Sequence, residues 1–431
     1  MSLSRYSLAN YSKTGKRTPD KKTPVTTKDD VSARLPATVG WRRAEILLLL
    51  MAAAVPLSFA TWQALLNNFA IERAAFTGAE IGILQSLREV PGFLAFAVVF
   101  CLLLFREQTF AYISLALLGI GTALTGWFPT AIGLYCTTVL MSIGYHYYET
   151  IQISLSLQWI DKARAPETLG RIIAAGSFTS IVTYGLIWLA FDILGLDFHW
   201  VYLLGGGLTA GIAIAAWLAF PCFPERVRQH KHMVVRARYW LYYALTFMSG
   251  ARRQIFIVFA GFLMVEKFGF SVSAITLLFL INAIANVFLA PRIGRLIARW
   301  GERRALIFEY VGLIGVFTAY AFVTNGTVAA GLYIIDHLFF ALAIAIKTYF
   351  QKIADPADIA ATAGVGFTIN HIAAVVIPAA FGLLWLVSPA AVFLSGAVMA
   401  VFSLLLSLNV PIAPAPGNEV VVRLRPVAAT D

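Results

Sequence analysis

From Glu45 onward, apolar stretches of about 20 residues alternate with short polar breaks, the length a helix needs to cross a bilayer. Twelve such stretches are legible, at about 43–66, 79–104, 109–127, 131–158, 171–194, 200–221, 239–264, 272–298, 305–324, 328–351, 362–387 and 390–410. Hydrocarbon admits only helices or closed barrels as spanning structures. The runs lack the alternating apolar-polar pattern of barrel strands. The pattern therefore predicts an all-α membrane protein with twelve transmembrane helices, surrounded by lipid.

Composition agrees and excludes the soluble classes. Of 431 residues, 59% are apolar or aromatic and only 13% are charged. A soluble domain carries about 45–50% and about 25%. The excess is too large for a bigger core, because even large soluble domains need polar residues at their surface. Cys101, Cys136 and Cys222 lie far apart and form neither a disulfide framework nor a metal-finger spacing.

The formal net charge of +11 raises the question of nucleic acid, and the distribution of that charge answers it. Arg42, Arg43, Arg106, Lys162, Arg164, Arg226, Arg228, Lys231, Arg236, Arg238, Arg299, Arg303, Arg304, Lys352, Arg423 and Arg425 fall on one side of the predicted spans. The opposite breaks offer only Arg73 and Lys267. By the positive-inside bias, both termini and the connection between spans 6 and 7 are expected in the cytoplasm, and a nucleic-acid partner is not expected. A plasma membrane, bacterial inner membrane location follows as an expectation. Residues 1–40 are basic and rich in Ser, Thr and Pro, without apolar periodicity; they read as a disordered tail and not as a signal peptide.

The chain also repeats itself. A shift of 194 residues sets Phe76-Thr77-Gly78 on Phe270-Ser271-Val272, Leu102 on Leu296, and Asp161, Thr168 and Gly170 on Asp355, Thr362 and Gly364. Two parallel six-helix repeats with a site between them are a transporter arrangement. The expected organisation is a six-helix bundle at 41–221, a cytoplasmic connection at 222–238, a second bundle at 239–410 and a tail at 411–431.

After span 8 comes Gly294-Arg295-Leu296-Ile297-Ala298-Arg299-Trp300-Gly301-Glu302-Arg303-Arg304-Ala305-Leu306. This segment resembles the loop motif G-x-L-a-D-R-x-G-R-R-x-x-L of the major facilitator superfamily, and it falls where that family repeats it. Ala298 stands where the family usually has Asp, and Glu302 where it usually has a basic residue. The first-half copy has shrunk to Phe105-Arg106-Glu107-Gln108. The resemblance implies two pseudo-symmetric six-helix bundles rocking around a central cavity. It implies a gating role on the cytoplasmic face for Gly294, Arg295, Arg299, Gly301, Arg303 and Arg304.

Ionisable groups inside spans are costly, by about 2.5–3.5 kcal/mol each on insertion scales, and so mark function. In span 4, Ser142, Tyr145, His146, Glu149, Gln152 and Ser156 recur at helical spacing as one polar stripe. His146 and Glu149 read either as proton carriers or as a hydrogen-bonded packing pair. In span 10, Asp336 and Lys347 lie eleven residues apart, about 16 Å along one face. Lys347 is a candidate bridge to Glu149 across the halves, or a side chain snorkelling to the surface. Arg88 and Glu89 in span 2, Arg252 and Arg253 in span 7, Asn282 and Asn286 in span 8, and Asn370 and His371 in span 11 complete the cavity candidates. Adjacent residues on a helix point about 100° apart, so only one of Arg252 and Arg253 is expected to face the cavity.

Arg88, Tyr145, His146, Gln152, Arg252, Arg253, Asn282, Asn286, Asn370 and His371 are thus the expected substrate contacts, with Glu89, Glu149 and Asp336 for proton coupling. Guanidinium groups suit carboxylates and phosphates, which favours a small organic anion as substrate. Alternatives are a metal ion or complex held by His146, His337, His371 and carboxylates, and a sensor or scaffold of the same fold without net transport. The histidines lie on three spans without close spacing, and no resident metal is expected. Nothing resembles a nucleotide-binding motif or a nucleophile–base–orienter set, so neither cofactor nor enzymatic activity is expected, and the protein is expected to be monomeric.

Overall fold

In a computed structural model of the chain, the described residues are 42–160, 165–224, 235–355 and 358–422. The basic N-terminal segment 1–40, the motif-matching Asp161 and most of the central connection lie outside them. Fourteen α-helices follow one another: α1 (Ala44–Ala74), α2 (Gly78–Phe93), α3 (Val98–Cys101), α4 (Glu107–Thr125), α5 (Ala131–Trp159), α6 (Ala165–Trp188) and α7 (Phe198–Ala219). Then come α8 (Trp240–Glu266), α9 (Val272–Trp300), α10 (Glu302–Phe322), α11 (Gly326–Phe340), α12 (Ile344–Ile353), α13 (Ile359–Val387) and α14 (Pro389–Leu408). Ten helical segments among the described residues are long and apolar enough to cross a membrane. The other two spans are α5, which carries the polar stripe, and the interrupted pair α2–α3. The protein is an all-α membrane protein with twelve transmembrane helices in two pseudo-symmetric bundles.

Two spans are interrupted by 3₁₀ turns among the described residues. Span 2 passes from α2 to α3 through a 3₁₀ turn at Ala95–Ala97, just after Pro91-Gly92. Span 10 is interrupted by a 3₁₀ turn at Ala341–Ala343. Three residues at the tighter 3₁₀ pitch add about 60° of rotation relative to an α-helix. The single face expected to carry both Asp336 and Lys347 is therefore divided: Asp336 is buried and Lys347 is exposed.

Ends are fixed by the residues that cap them. Thr77 and Glu80 form a reciprocal capping box at the start of α2. The Asn325 side chain accepts from the N–H groups of Thr327 and Val328 at 2.8 and 3.2 Å to start α11. Ser388 and Pro389 open α14. At the family-like motif, Gly301 turns the chain from α9 into α10 with φ near +80°, a conformation open to glycine.

Packing repeats between the bundles. Span 2 (α2) packs on span 11 (α13), while span 5 (α6) packs on span 8 (α9). Spans 2 and 8 are equivalent in the repeat, as are 5 and 11, so the two contacts are images of each other. Direct contacts between the bundles lie from mid-membrane to the side away from the described termini. There Asn68 Nδ2 donates to the Phe270 carbonyl at 2.8 Å, and the Ala379 N–H donates to Ser86 Oγ at 2.9 Å. The backbones meet directly where Gly82 lies against the Pro378 carbonyl and Gly382 against the Gly78 carbonyl. Small residues permit such close approach of helices. The structure is thus closed on this side.

Candidate functional site

At the inner edge of that closed contact, three helices converge on a buried polar cluster. Span 2 contributes Arg88 and Glu89, span 4 contributes His146, and span 11 contributes His371; all four are buried. Arg88 pairs with Glu89 Oε1. It is oriented by Gln85, whose Oε1 accepts from Nε at 2.8 Å, and lies over the Trp62 ring at 5.8 Å. Ser142 Oγ donates to the Arg88 carbonyl and ties span 4 to span 2.

The second oxygen, Glu89 Oε2, is 3.9 Å from His146 Nε2 and 3.7 Å from His371 Nε2. The two imidazole rings are 5.3 Å apart, centroid to centroid. Their convergence depends on Gly92, where a Cβ would collide with both rings. Sequence reasoning placed these histidines on separate spans as scattered groups; the fold brings two of them together. His337 stands elsewhere, against Phe256 and Tyr333.

The span 4 stripe divides by depth around its axis. Ser142, His146 and Ser156 are buried, whereas Tyr145, Glu149 and Gln152 are partly open. Tyr145 stacks on Phe59 at 4.4 Å. Glu149 has a 43% exposed side chain and lies 3.9 Å from His146 Nδ1. Asn370 is half-buried and packs against Gly250 of span 7.

Arg252 and Arg253 part company. Arg252 is turned into the C-terminal bundle, where its Nη2 is 2.9 Å from Glu309 Oε1, with side chains 1% and 0% exposed. Ser403 Oγ accepts from it at 3.3 Å, and the guanidinium lies over the Tyr310 ring at 4.8 Å. The expectation that Arg252 contacts substrate gives way to an internal ion pair, because Glu309 is the partner that makes its burial tolerable. Glu309 escaped the sequence reading; a single carboxylate in an otherwise apolar span 9 was the available signal. Arg253 is exposed, lies over Phe340 at 4.7 Å, and is within electrostatic range of Glu89, Arg88, Tyr145 and Asp336. Its guanidinium thus stands among groups from spans 2, 4 and 10, at the level where the bundles meet.

Other expected residues fall differently. Asn282 is buried with neither amide atom hydrogen-bonded, and Asn286 one turn later is exposed. Asp336 is buried near Arg252 and Arg253. Lys347 forms no ion pair with Glu149 among the described residues; the rotated second half of span 10 leaves it exposed.

The motif after span 8, expected to gate the cytoplasmic face, runs from the end of α9 into the start of α10. Gly294, Arg295 and Arg299 belong to the last turns of α9 and are exposed, as is Arg304, while Arg303 is half-buried. No ion pair to these arginines occurs among the described residues. Glu302, where the family usually has a basic residue, is buried and takes Lys352 of span 10 at 2.7 Å. A second tether sits before span 7. Arg236 Nη2 donates to Asp358 Oδ1 at 2.8 Å, and Tyr239 donates its hydroxyl to Asp358 Oδ2 at 3.0 Å. The Arg236 guanidinium holds the Asp358 carboxyl below its usual range, with the Tyr239 hydrogen bond adding to the effect.

Two six-helix bundles that meet at a buried polar cluster are the architecture of a membrane transporter of small solutes. The chain belongs to the major facilitator superfamily, whose sequence pattern matches residues 44–378. Among solved structures, it is similar to a variant of the nucleoside transporter NupG at 16% identity and TM-score 0.72, covering 85% of this chain and 99% of that one. It is similar to a bacterial homologue of the human lysosomal transporter Spinster, in an inward-facing and occupied conformation, at 13% identity and TM-score 0.70, covering 84% and 95%. An autoinhibited peptide transporter of the POT family follows at 13% and 0.62, covering 85% and 95%. No curated protein is significantly similar in sequence. At these identities the likeness speaks for the fold.

Proposed function

We propose that the protein carries a small organic anion, or a molecule bearing a carboxylate, by alternating access and with proton coupling. The observation that carries this reading is Arg253: an exposed guanidinium between the bundles, not consumed by an ion pair among the described residues. Arg88 is occupied by Glu89 and Arg252 by Glu309, so Arg253 is the internal guanidinium left to receive an anion. Gln152 and Asn370, both partly open, supply hydrogen bonds of either polarity.

Glu149 is the proposed proton carrier, since it is a carboxylate that the cavity can reach. The sorting of basic residues supports cytoplasmic termini in a bacterial inner membrane, and with that orientation the closed side faces outward. The protein is proposed to act as a monomer, because each chain holds both halves of the cavity.

Purified protein is screened by thermal shift against organic anions, sugars, amino acids and metals, and the stabilising class is then tested for pH-driven uptake in proteoliposomes. Stabilisation by an anion that is lost in Arg253→Ala, with uptake uncoupled from pH in Glu149→Gln, is expected. Stabilisation that persists in Arg253→Ala refutes the anion site. Unchanged pH dependence in Glu149→Gln refutes the proton role. A chain showing no saturable flux is a sensor or scaffold instead.

A further inference from the structure

We infer that Glu89, His146 and His371 form a binding site for a borderline divalent transition metal, of the Zn²⁺ or Co²⁺ kind, that joins the two bundles. One ligand atom from each residue lies within 4.8 Å of the other two, and all three residues are buried. Two imidazoles and a carboxylate are a donor set suited to such ions, leaving further coordination positions open. Ligands at about 2.0–2.2 Å from a tetrahedral ion stand roughly 3.4 Å apart. The observed separations of 3.7 and 3.9 Å from Glu89 Oε2 are too long for hydrogen bonds and close to that edge.

The surroundings make the stronger argument, because the outer partners are those of a metal site. Metal-ligating histidines hold their second ring nitrogen on a carbonyl or carboxylate. His371 Nδ1 is 2.9 Å from the Phe367 carbonyl, which can only accept, so Nδ1 is the donor there and Nε2 is the ring nitrogen turned towards Glu89. His146 Nδ1 faces Glu149 at 3.9 Å, and neither of its ring nitrogens has a well-aligned hydrogen bond despite burial. Buried polar groups are nearly always satisfied, so an imidazole without a well-aligned partner on either nitrogen points to a ligand. Glu89 is oriented by Arg88 through the oxygen that does not face the histidines. Gly92 leaves the room in which the two rings meet.

Glu89 and His146 belong to the N-terminal bundle and His371 to the C-terminal one. Separating the bundles at this level removes one of three ligands. The ion is therefore held in the state closed on the side away from the termini, and it stabilises that state. This inference is independent of the transported solute and of Arg253.

The test loads purified, metal-stripped full-length protein in detergent with Co²⁺ alone. One equivalent is expected to bind, with visible ligand-field bands, and X-ray absorption at the cobalt edge is expected to show imidazole ligands. Binding should weaken by more than the roughly 10–100-fold that loss of an outer-shell partner costs in Glu89→Gln, His146→Gln and His371→Gln, and remain in His337→Gln. Co²⁺ should also raise the melting temperature of the wild-type chain and not that of the three variants. The edge spectrum is read on wild-type protein, so it stands even where a variant misfolds. Absence of a bound equivalent, an edge spectrum without imidazole, or equal loss in His337→Gln would overturn the inference.

Discussion

Removing Glu309 should unfold the C-terminal bundle's interior far more readily than removing Arg253, although the guanidiniums concerned are neighbours in sequence. Arg252 and Glu309 are in contact at 2.9 Å with almost no exposure. At a charge separation of about 4 Å and an effective dielectric of about 20, their attraction is about 4 kcal/mol. Deleting one partner leaves the other charge buried and unpaired, at a cost of about 3–5 kcal/mol. Glu309→Ala and Arg252→Met are each expected to lose that much.

The double variant Arg252→Met with Glu309→Leu replaces the pair by apolar groups of similar reach. Such replacements are often neutral or better, so the double variant should be far more stable than the sum of the singles. The assay is reversible unfolding in mixed detergent micelles, analysed as a double-mutant cycle. Additivity within about 0.5 kcal/mol would show that the two residues do not act as a pair, and would return Arg252 to the substrate contacts.

Asp358→Asn should destabilise the chain at neutral pH, and the difference from wild type should vanish in acid. The sign follows from the depressed pKa of Asp358, caused first by the hydrogen bond from Arg236. A carboxylate held below its unfolded value of about 3.9 contributes stability above that value and loses it as pH falls through the folded one. Melting temperatures of both chains between pH 7 and pH 3 should converge below about pH 4; a constant gap would refute the tether. Gly82→Val should pry open the closed side by pushing a side chain onto the Pro378 carbonyl. Labelling of a cysteine at Asn67, buried and close to Gly261 in the closed state, should accelerate in this background; an unchanged rate would sink the idea.

The number of spans could be read directly because hydrocarbon imposes its own length on every helix, leaving twelve runs that tertiary packing does not alter. The halves were visible too, in the placement of Phe76-Thr77-Gly78 against Phe270-Ser271-Val272. The site was legible only as a set of unusual residues. Arg88, His146 and His371 each stand out as polar groups in apolar helices, but nothing local says that His146 and His371 share a layer. That depends on how span 11 packs on span 2, and on Gly92, whose role is to be small. The fate of Arg252 was hidden for the same reason, since its partner Glu309 lies on another helix. Between the two readings of Lys347, the exposed side chain fits snorkelling and not the bridge, because the 3₁₀ turn at Ala341–Ala343 shifts the helical phase without any proline or glycine to announce it.

The glycine seam between spans 2 and 11 bears on how such a molecule moves. Where Gly82 and Gly382 meet the Pro378 and Gly78 carbonyls, the surfaces in contact are main chain, while Gly78 seats the Trp385 side chain. Interlocked side chains must change rotamer before helices slide, and each change is a barrier. Around Gly82 and Gly382 the seam has few teeth to disengage, so it can serve as a bearing on which the bundles roll, with the large Trp385 side chain lodged against it at Gly78. Beside it lie polar fastenings, Asn68 on Phe270 and Ser86 on Ala379, which must be exchanged for water before the bundles part on this side.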